Sequence, residues 1–311
     1  MEQRHKDIRQ RVRGPVYPIP PAFDAAGGLD PESVAHYVSH LCAAGAGTVM
    51  VTAGTSRLNL LSSEETATLN RVVAQTAGPG VLTIGATPPS GSTDMASELA
   101  RRAVDDGCDA VLLYFPERHY GDDAVFEYYA QIAARSKAPL MIHGVPLESG
   151  QGKGRVPYSL SLCRRLAGLD AVVGMKEEFG CEAVRYELAA HLGDRIPLIV
   201  AGASMRKYLG SALYGVCSWL VGVGSFVPRI EEEFFALMER GDHEAALAVV
   251  TGQEEPLFEV AMSMGWHVAM RALLDILGLM PGYERAPMAR ADQSQREQLQ
   301  VLAARLGWLS E

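Results

Sequence analysis

Eight short apolar runs recur along the chain, each followed by a stretch with helical character, and this alternation limits the possible folds more than any other feature. The runs are "GPVYPI" (Gly14 to Ile19), "GTVMVT" (Gly47 to Thr52), "VLTIGAT" (Val81 to Thr87) and "DAVLLYF" (Asp109 to Phe115), then "PLMIHGV" (Pro139 to Val145), "VVGMKE" (Val172 to Glu177), "PLIVAG" (Pro197 to Gly202) and "SWLVGVG" (Ser218 to Gly224). They are continuous rather than alternating in polarity, as strands covered on both faces require. The intervening stretches carry helix starts: Asp30 with Pro31 behind it, and the Ser62/Glu65 pair of a capping box. Eight βα units in about 220 residues predict a closed (β/α)8 TIM barrel. A doubly wound open sheet is the fallback, although no GxGxxG follows the first strand. Past Arg229 no strand signal returns; "HVAMRALLDILGL" and "QREQLQVLAARLGWL" read as helices. The expected organisation is a barrel over residues 1–228, with residues 229–311 supplying its last helix and a C-terminal helical extension packed on the same domain.

Composition narrows the function. With 48% hydrophobic residues in 311, the chain can bury a large core. Its net charge of −9, with no basic stripe, argues against nucleic acid or an anionic membrane as partner. No apolar run is long enough to span a bilayer, and the polar N-terminus is unlike a secretory signal. Five scattered cysteines without a CxxC spacing suggest neither a disulfide framework nor a zinc cluster. His119, His143 and His191 fall on different βα units without paired spacing, so no metal site is expected. The resulting expectation is a reduced, cytoplasmic, soluble protein, with no metal or other cofactor.

Barrels of this kind carry their chemistry at the C-terminal ends of the strands. That rule selects Gly54, Thr55, Ser56 and Arg57 after the second strand, Tyr114 at the fourth, His143 at the fifth, Lys176 at the sixth, Gly202 at the seventh and Leu220 to Ser225 along the eighth. Lys176 stands out. Of the five lysines (Lys6, Lys137, Lys153, Lys176 and Lys207), it alone ends an apolar strand. Side chains alternate along a strand, so Val172, Gly174 and Lys176 share one face. If that face is the barrel interior, Gly174 leaves space beneath the amine. Burial lowers a lysine pKa, and a neutral amine can attack a carbonyl to form a Schiff base. An ion pair between Lys176 and Glu177 or Glu178 at the rim is the competing explanation. The turn "AGTSR" (Ala53 to Arg57) offers N–H groups and hydroxyls for a carboxylate, or is an ordinary βα turn. His143 is either a proton shuttle or a satisfied core histidine.

Taken together, "AGTSRLNLLSSEE", "LMIHGVPLESG", "VVGMKEE" and "GVGSFVP" resemble the dihydrodipicolinate synthase/N-acetylneuraminate lyase family of class I aldolases over nearly the whole chain. The resemblance implies a barrel with a C-terminal helical region, assembled as a homo-oligomer (a tetramer or a dimer). It implies that Lys176 carries pyruvate or another 2-oxo acid, that Ala53 to Arg57 hold the carboxylate, and that Gly202 and Leu220 line the site. The sequence also departs from the family. His143 replaces a tyrosine that relays protons, Glu148 stands where the synthases have an arginine, Glu117 and Arg118 stand in the region of a tyrosine pair, and Arg57 replaces a glutamate. These departures argue against dihydrodipicolinate synthase activity, and no sialic-acid-binding pattern is evident. The expected activity is therefore retro-aldol cleavage or condensation at Lys176, with His143 shuttling protons, Thr55 and Ser56 holding the carboxylate and Arg57 binding a second anionic group. The alternatives are dehydration of a keto-deoxy sugar acid, a non-catalytic barrel that binds 2-oxo acids, and a phosphate enzyme built on "GVGSF".

Overall fold

The computed structural model describes residues 3–89, 92–152, 154–202 and 204–309; Lys153, one of the five lysines, lies outside them. Eight parallel strands close into a barrel: β1 (Gly14–Pro18), β2 (Thr48–Met50), β3 (Leu82–Ala86), β4 (Ala110–Leu112), β5 (Leu140–Gly144), β6 (Val172–Glu177), β7 (Leu198–Val200) and β8 (Ser218–Leu220). Each pairs with its neighbours in sequence, and β8 closes on β1 through Gly14↔Ser218 and Val16↔Leu220. Every residue of these strands is buried, which explains the continuous apolar runs. The helix starts lie where the sequence puts them. Asp30 accepts from Ser33 N–H ahead of Pro31–Ala43, and Ser62 and Glu65 cap Ser63–Ala77 reciprocally.

Two elements were not expected from the sequence. A helix at Gln3–Arg11 lies under the N-terminal ends of the strands, where Arg9 donates to Val172 O and Arg195 O at 3.1 Å each. Its sequence is almost entirely polar, and only His5 and Ile8 are buried, so an apolar stripe barely exists to betray it. A small sheet of Arg118–His119, Leu147–Ser149 and Arg155–Val156 stands beyond β4 and β5. There Glu148 pairs with Arg155 at 2.8 Å.

The C-terminal helices Glu255–Met264, Trp266–Ile276 and Gln293–Arg305 pack on one another, and the first two reach over the C-terminal ends of the strands. Charged clamps fasten this region to the barrel. Arg271 donates to Pro21 O and pairs with Glu284 at 3.1 Å. Arg285 reaches Glu65 at 2.7 Å and Gly27 O at 2.7 Å. No helix among the described residues is long and apolar enough to cross a membrane.

Candidate active site

β5 and β6 pair with His143 directly opposite Lys176. Neighbours in register project to the same face, so both side chains enter the barrel interior. Lys176 is 3% exposed. Its Nζ lies 2.9 Å from His143 Nε2 and donates to Glu178 Oε2. His143 Nε2 in turn lies 2.8 Å from the same carboxylate oxygen. Lysine, histidine and glutamate thus form a closed triangle around one nitrogen of the imidazole. Phe115 presents an edge to that imidazole with ring centroids 5.3 Å apart.

Alternation sends Glu177 the other way, where it accepts from Arg185 Nε at 2.6 Å and from Phe179 N–H at 2.9 Å. Of the two glutamates considered as ion partners, Glu178 is therefore the one that meets Lys176. The space expected above Gly174 is not open. A Cβ there would stand 2.9 Å from Met141 Cε, because the methionine of the register-paired strand already fills it.

Burial lowers the Lys176 pKa below its ordinary value, and Glu178 offsets this only in part. His143 is pushed down to about 4, first by burial and then by the adjacent ammonium. Burial acts to raise Glu178, yet the hydrogen bond from His143 and the charge of Lys176 carry it well below the carboxylate range. At neutral pH the triangle holds a carboxylate, a neutral imidazole and a lysine whose charged form is disfavoured. His143 Nδ1 is buried without a partner among the described residues.

A cavity of about 240 Å3 opens over the amine. Gly54, Thr55, Gly202 and Leu220 line it, together with Thr52 and Glu178. Ser56, Arg57 and Leu58 turn their N–H groups back onto Thr52, Gly54 and Ala53 carbonyls, leaving those of Gly54 and Thr55 without a backbone acceptor among the described residues. The Thr52 hydroxyl is buried and unpartnered there too.

Ser56 and Arg57 are not where the turn suggested. Ser56 Oγ donates to Ile19 O and accepts from Thr52 N–H at 2.9 Å, tying β1 to the turn. Arg57 adopts a left-handed backbone (φ 53°) and runs beneath the C-terminal helices. There it pairs with Glu284 at 2.8 Å and donates to Thr55 O at 3.0 Å. Neither residue lines the cavity.

The sequence reading also missed the roof. Phe258, Met262, Trp266 and His267 close the cavity from the C-terminal helices. Only the fold brings them there; nothing local marks them. Thr52 could have been found, since it directly precedes the selected turn. Glu231 is a further omission. It accepts from Gly222 and Gly224 N–H at 3.1 and 3.2 Å and from Trp219 Nε1 at 2.8 Å. Of the N–H groups that "GVGSF" would offer a phosphate, those of Gly222 and Gly224 are already bound to the Glu231 carboxyl, and those of Ser225 and Phe226 to Gly222 and Val223 carbonyls.

The chain is a (β/α)8-barrel enzyme of the lyase type, with a buried lysine on β6 at the C-terminal mouth of the barrel. The sequence profile of the dihydrodipicolinate synthetase family matches residues 12–306, and the chain belongs to that family. It is a divergent member. A 4-hydroxy-tetrahydrodipicolinate synthase of Synechococcus sp. is 28% identical over 294 residues, covering 93% of this chain and 92% of the relative. An uncharacterised DapA-like lyase of Halobacterium salinarum is 26% identical over 304 residues, covering 96% and 95%. Among solved structures, the N-acetylneuraminate lyase of Fusobacterium nucleatum superposes with a TM-score of 0.84 at 17% identity, over 96% of this chain and all (100%) of that one. The prophage protein YagE from E. coli K12, solved in complex with pyruvate, gives 0.83 at 17%, over 96% and 99%.

Proposed function

We propose that the chain forms a Schiff base between Lys176 and pyruvate or another 2-oxo acid, and uses it for retro-aldol cleavage or condensation. The observation that carries this reading is the amine itself: buried, depressed in pKa and opening onto a cavity with unengaged donors on the opposite wall. Lys176 Nζ attacks C2 of the oxo acid and water leaves, giving an iminium. Loss of a proton from C3 gives the enamine, whose C3 forms a bond to an aldehyde carbon; the reverse sequence cleaves that bond.

His143 and Glu178 supply the proton chemistry. A proton leaving the ammonium passes to Glu178 Oε2, to which Nζ already donates, while His143 Nε2–H holds the same oxygen at 2.8 Å. The triangle's net charge is unchanged, so the amine is freed without exporting a proton to solvent. The depression of His143 by the Lys176 charge is relieved in the same step. Thr52, Gly54 and Thr55 are positioned to take the carboxylate, with Gly202 and Leu220 flanking the chain.

Two features separate this site from one that handles an acidic aldehyde. Arg57 is held by Glu284, and Glu148 is paired with Arg155 in the outer sheet. Among the described residues no arginine lines the cavity. Synthesis of dihydrodipicolinate is correspondingly disfavoured.

Borohydride reduction in the presence of pyruvate, followed by peptide mass spectrometry, tests the reading. The expected result is a reduced pyruvate adduct on the peptide containing Lys176, absent in Lys176→Ala. If neither pyruvate nor a longer 2-oxo acid leaves an adduct, the Lys176–Glu178 contact is a structural ion pair and the lyase reading fails.

A further inference from the structure

Beyond the oxo-acid end, the cavity changes character. Its remaining walls are Leu220 and Val221 from the end of β8 and Phe258, Met262 and Trp266 from the C-terminal helices. Phe258 and Trp266 pack with ring centroids 5.4 Å apart, and Trp266 also meets Phe226 at 6.1 Å. Met262 is 62% exposed at the mouth. An apolar surface that opens to water around a cavity marks where an apolar ligand binds.

The charges agree. Arg57 and Arg271 converge on Glu284 with side chains 2% and 3% exposed, out of reach of a ligand. His267 is pushed down to about 4 by burial and Arg57, so it is neutral at pH 7. The carboxylate of Glu178 faces the cavity. An anionic second substrate would meet a like charge, and the one cation in the wall among the described residues is Lys176, which the oxo acid engages. A polyhydroxylated one would strip water from hydroxyls that have few partners on the apolar side, which is costly. Another cation, Lys207, stands beside the seventh strand's end. Its Nζ lies at 3.5 Å from Ala201 O, beside Gly202 and outside the cavity lining.

We propose that the carbonyl partner handled at Lys176 is an uncharged aldehyde carrying an aromatic or other apolar group, seated against Phe258, Met262 and Trp266. This rests on the Schiff-base reading above and adds the second substrate to it. In the cleavage direction the substrate is a 4-hydroxy-2-oxo acid with an apolar substituent at C4. The C3–C4 bond breaks, the C4 hydroxyl loses its proton to become the aldehyde, and the electron pair passes into the iminium to give the enamine. Protonation at C3 and hydrolysis then release pyruvate and the free amine. The cavity of about 240 Å3 lies below the usual range for ligand sites (about 300–1,000 Å3), which favours a single ring over a larger group.

The test measures pyruvate release by the full-length protein from three compounds: 4-hydroxy-2-oxo-4-phenylbutanoate, 4-hydroxy-2-oxoglutarate and 2-oxo-3-deoxygluconate. Borohydride trapping with pyruvate is run alongside. The expected kcat/KM for the phenyl compound exceeds those of the other two by about 100-fold or more, and Trp266→Ser narrows that ratio by about tenfold. Met262→Ser, at an exposed position, serves the same purpose if Trp266→Ser does not fold. A trapped adduct with the anionic or polyol compound cleaved as well as the phenyl one overturns the proposal, as does a trapped adduct with none of the three cleaved. An anionic preference that Lys207→Ala abolishes would give the specificity to Lys207 instead. Absence of any adduct brings down the Schiff-base reading itself, and is read separately from substrate preference.

Discussion

Glu284 is the single carboxylate on which two buried guanidiniums converge. Its side chain is 1% exposed and its Oε1 takes Arg57 at 2.8 Å and Arg271 at 3.1 Å. Replacing it with alanine leaves two cations facing each other in a region closed to water. Their other contacts are uncharged: carbonyls including Thr55 at 3.0 Å for Arg57, and Pro21 O, Pro281 O and the Met280 thioether for Arg271. Carbonyls satisfy N–H groups but do not neutralise charge. Breaking one buried pair by removing a partner costs about 3–5 kcal/mol, so Glu284→Ala should lose at least that much. With an unfolding entropy of about 2.1 cal/mol/K per residue, the loss lowers Tm by about 5–8 °C in a chain of 311 residues. Thermal unfolding followed by circular dichroism, with urea midpoints alongside, measures it. A double-mutant cycle of Arg57→Met and Glu284→Met should show a coupling of at least about 1 kcal/mol. A loss below about 1 kcal/mol for Glu284→Ala would mean the guanidiniums reach water, and the buried clamp would be refuted. If Arg57→Met abolished turnover while leaving the urea midpoint unchanged, Arg57 would serve the substrate, as the turn sequence suggests.

Two further outcomes follow from groups beside the cavity. His143 titrates at about 4 in the fold against 6.5 when unperturbed, so the unfolded chain takes up its proton first. The stability it contributes is present above about pH 6.5 and is lost as pH falls toward 4, at most about 3 kcal/mol. Urea midpoints at pH 7, 5.5 and 4.5 should therefore fall more steeply for the parent than for His143→Gln; equal slopes would contradict the assigned environment. His267, also near 4, leaves a residual slope in both. Gly202 has φ 89°, and a Cβ there would stand 2.3 Å from Lys207 Nζ. Gly202→Ala should cost about 1–2 kcal/mol in backbone strain alone, and combining it with Lys207→Ala should relieve the clash without recovering that strain. Full recovery in the double variant would show that the backbone is not strained.

What could be read in the sequence depended on how far away each cause lies along the chain. The barrel was legible because strand burial and helix capping are set within ten or fifteen residues, as in Ser62 with Glu65. Lys176 was legible for the same reason: its burial follows from the apolar run that ends on it, and strand alternation alone separates it from Glu177. Arg57 shows the opposite case. A basic residue after a Gly-Thr-Ser turn reads as an anion ligand only while its acidic partner is unknown, and Glu284 stands 227 residues further on. The same distance hid the roof. The periodicity of "HVAMRALLDILGL" announces a helix, but nothing in it says that Trp266 and His267 will face the end of β2. The charge that a turn loses and the apolar wall that a cavity gains thus come from one event, the folding back of the C-terminal helices. Once those helices are in place, Arg57 is withdrawn from any ligand by the segment that carries Glu284, just after the helix that brings Trp266 to the cavity. On the proposed function, the oxo-acid end of the site is written in the strands and the preference for the second substrate in the C-terminal region, so substitutions there should change specificity without touching Lys176.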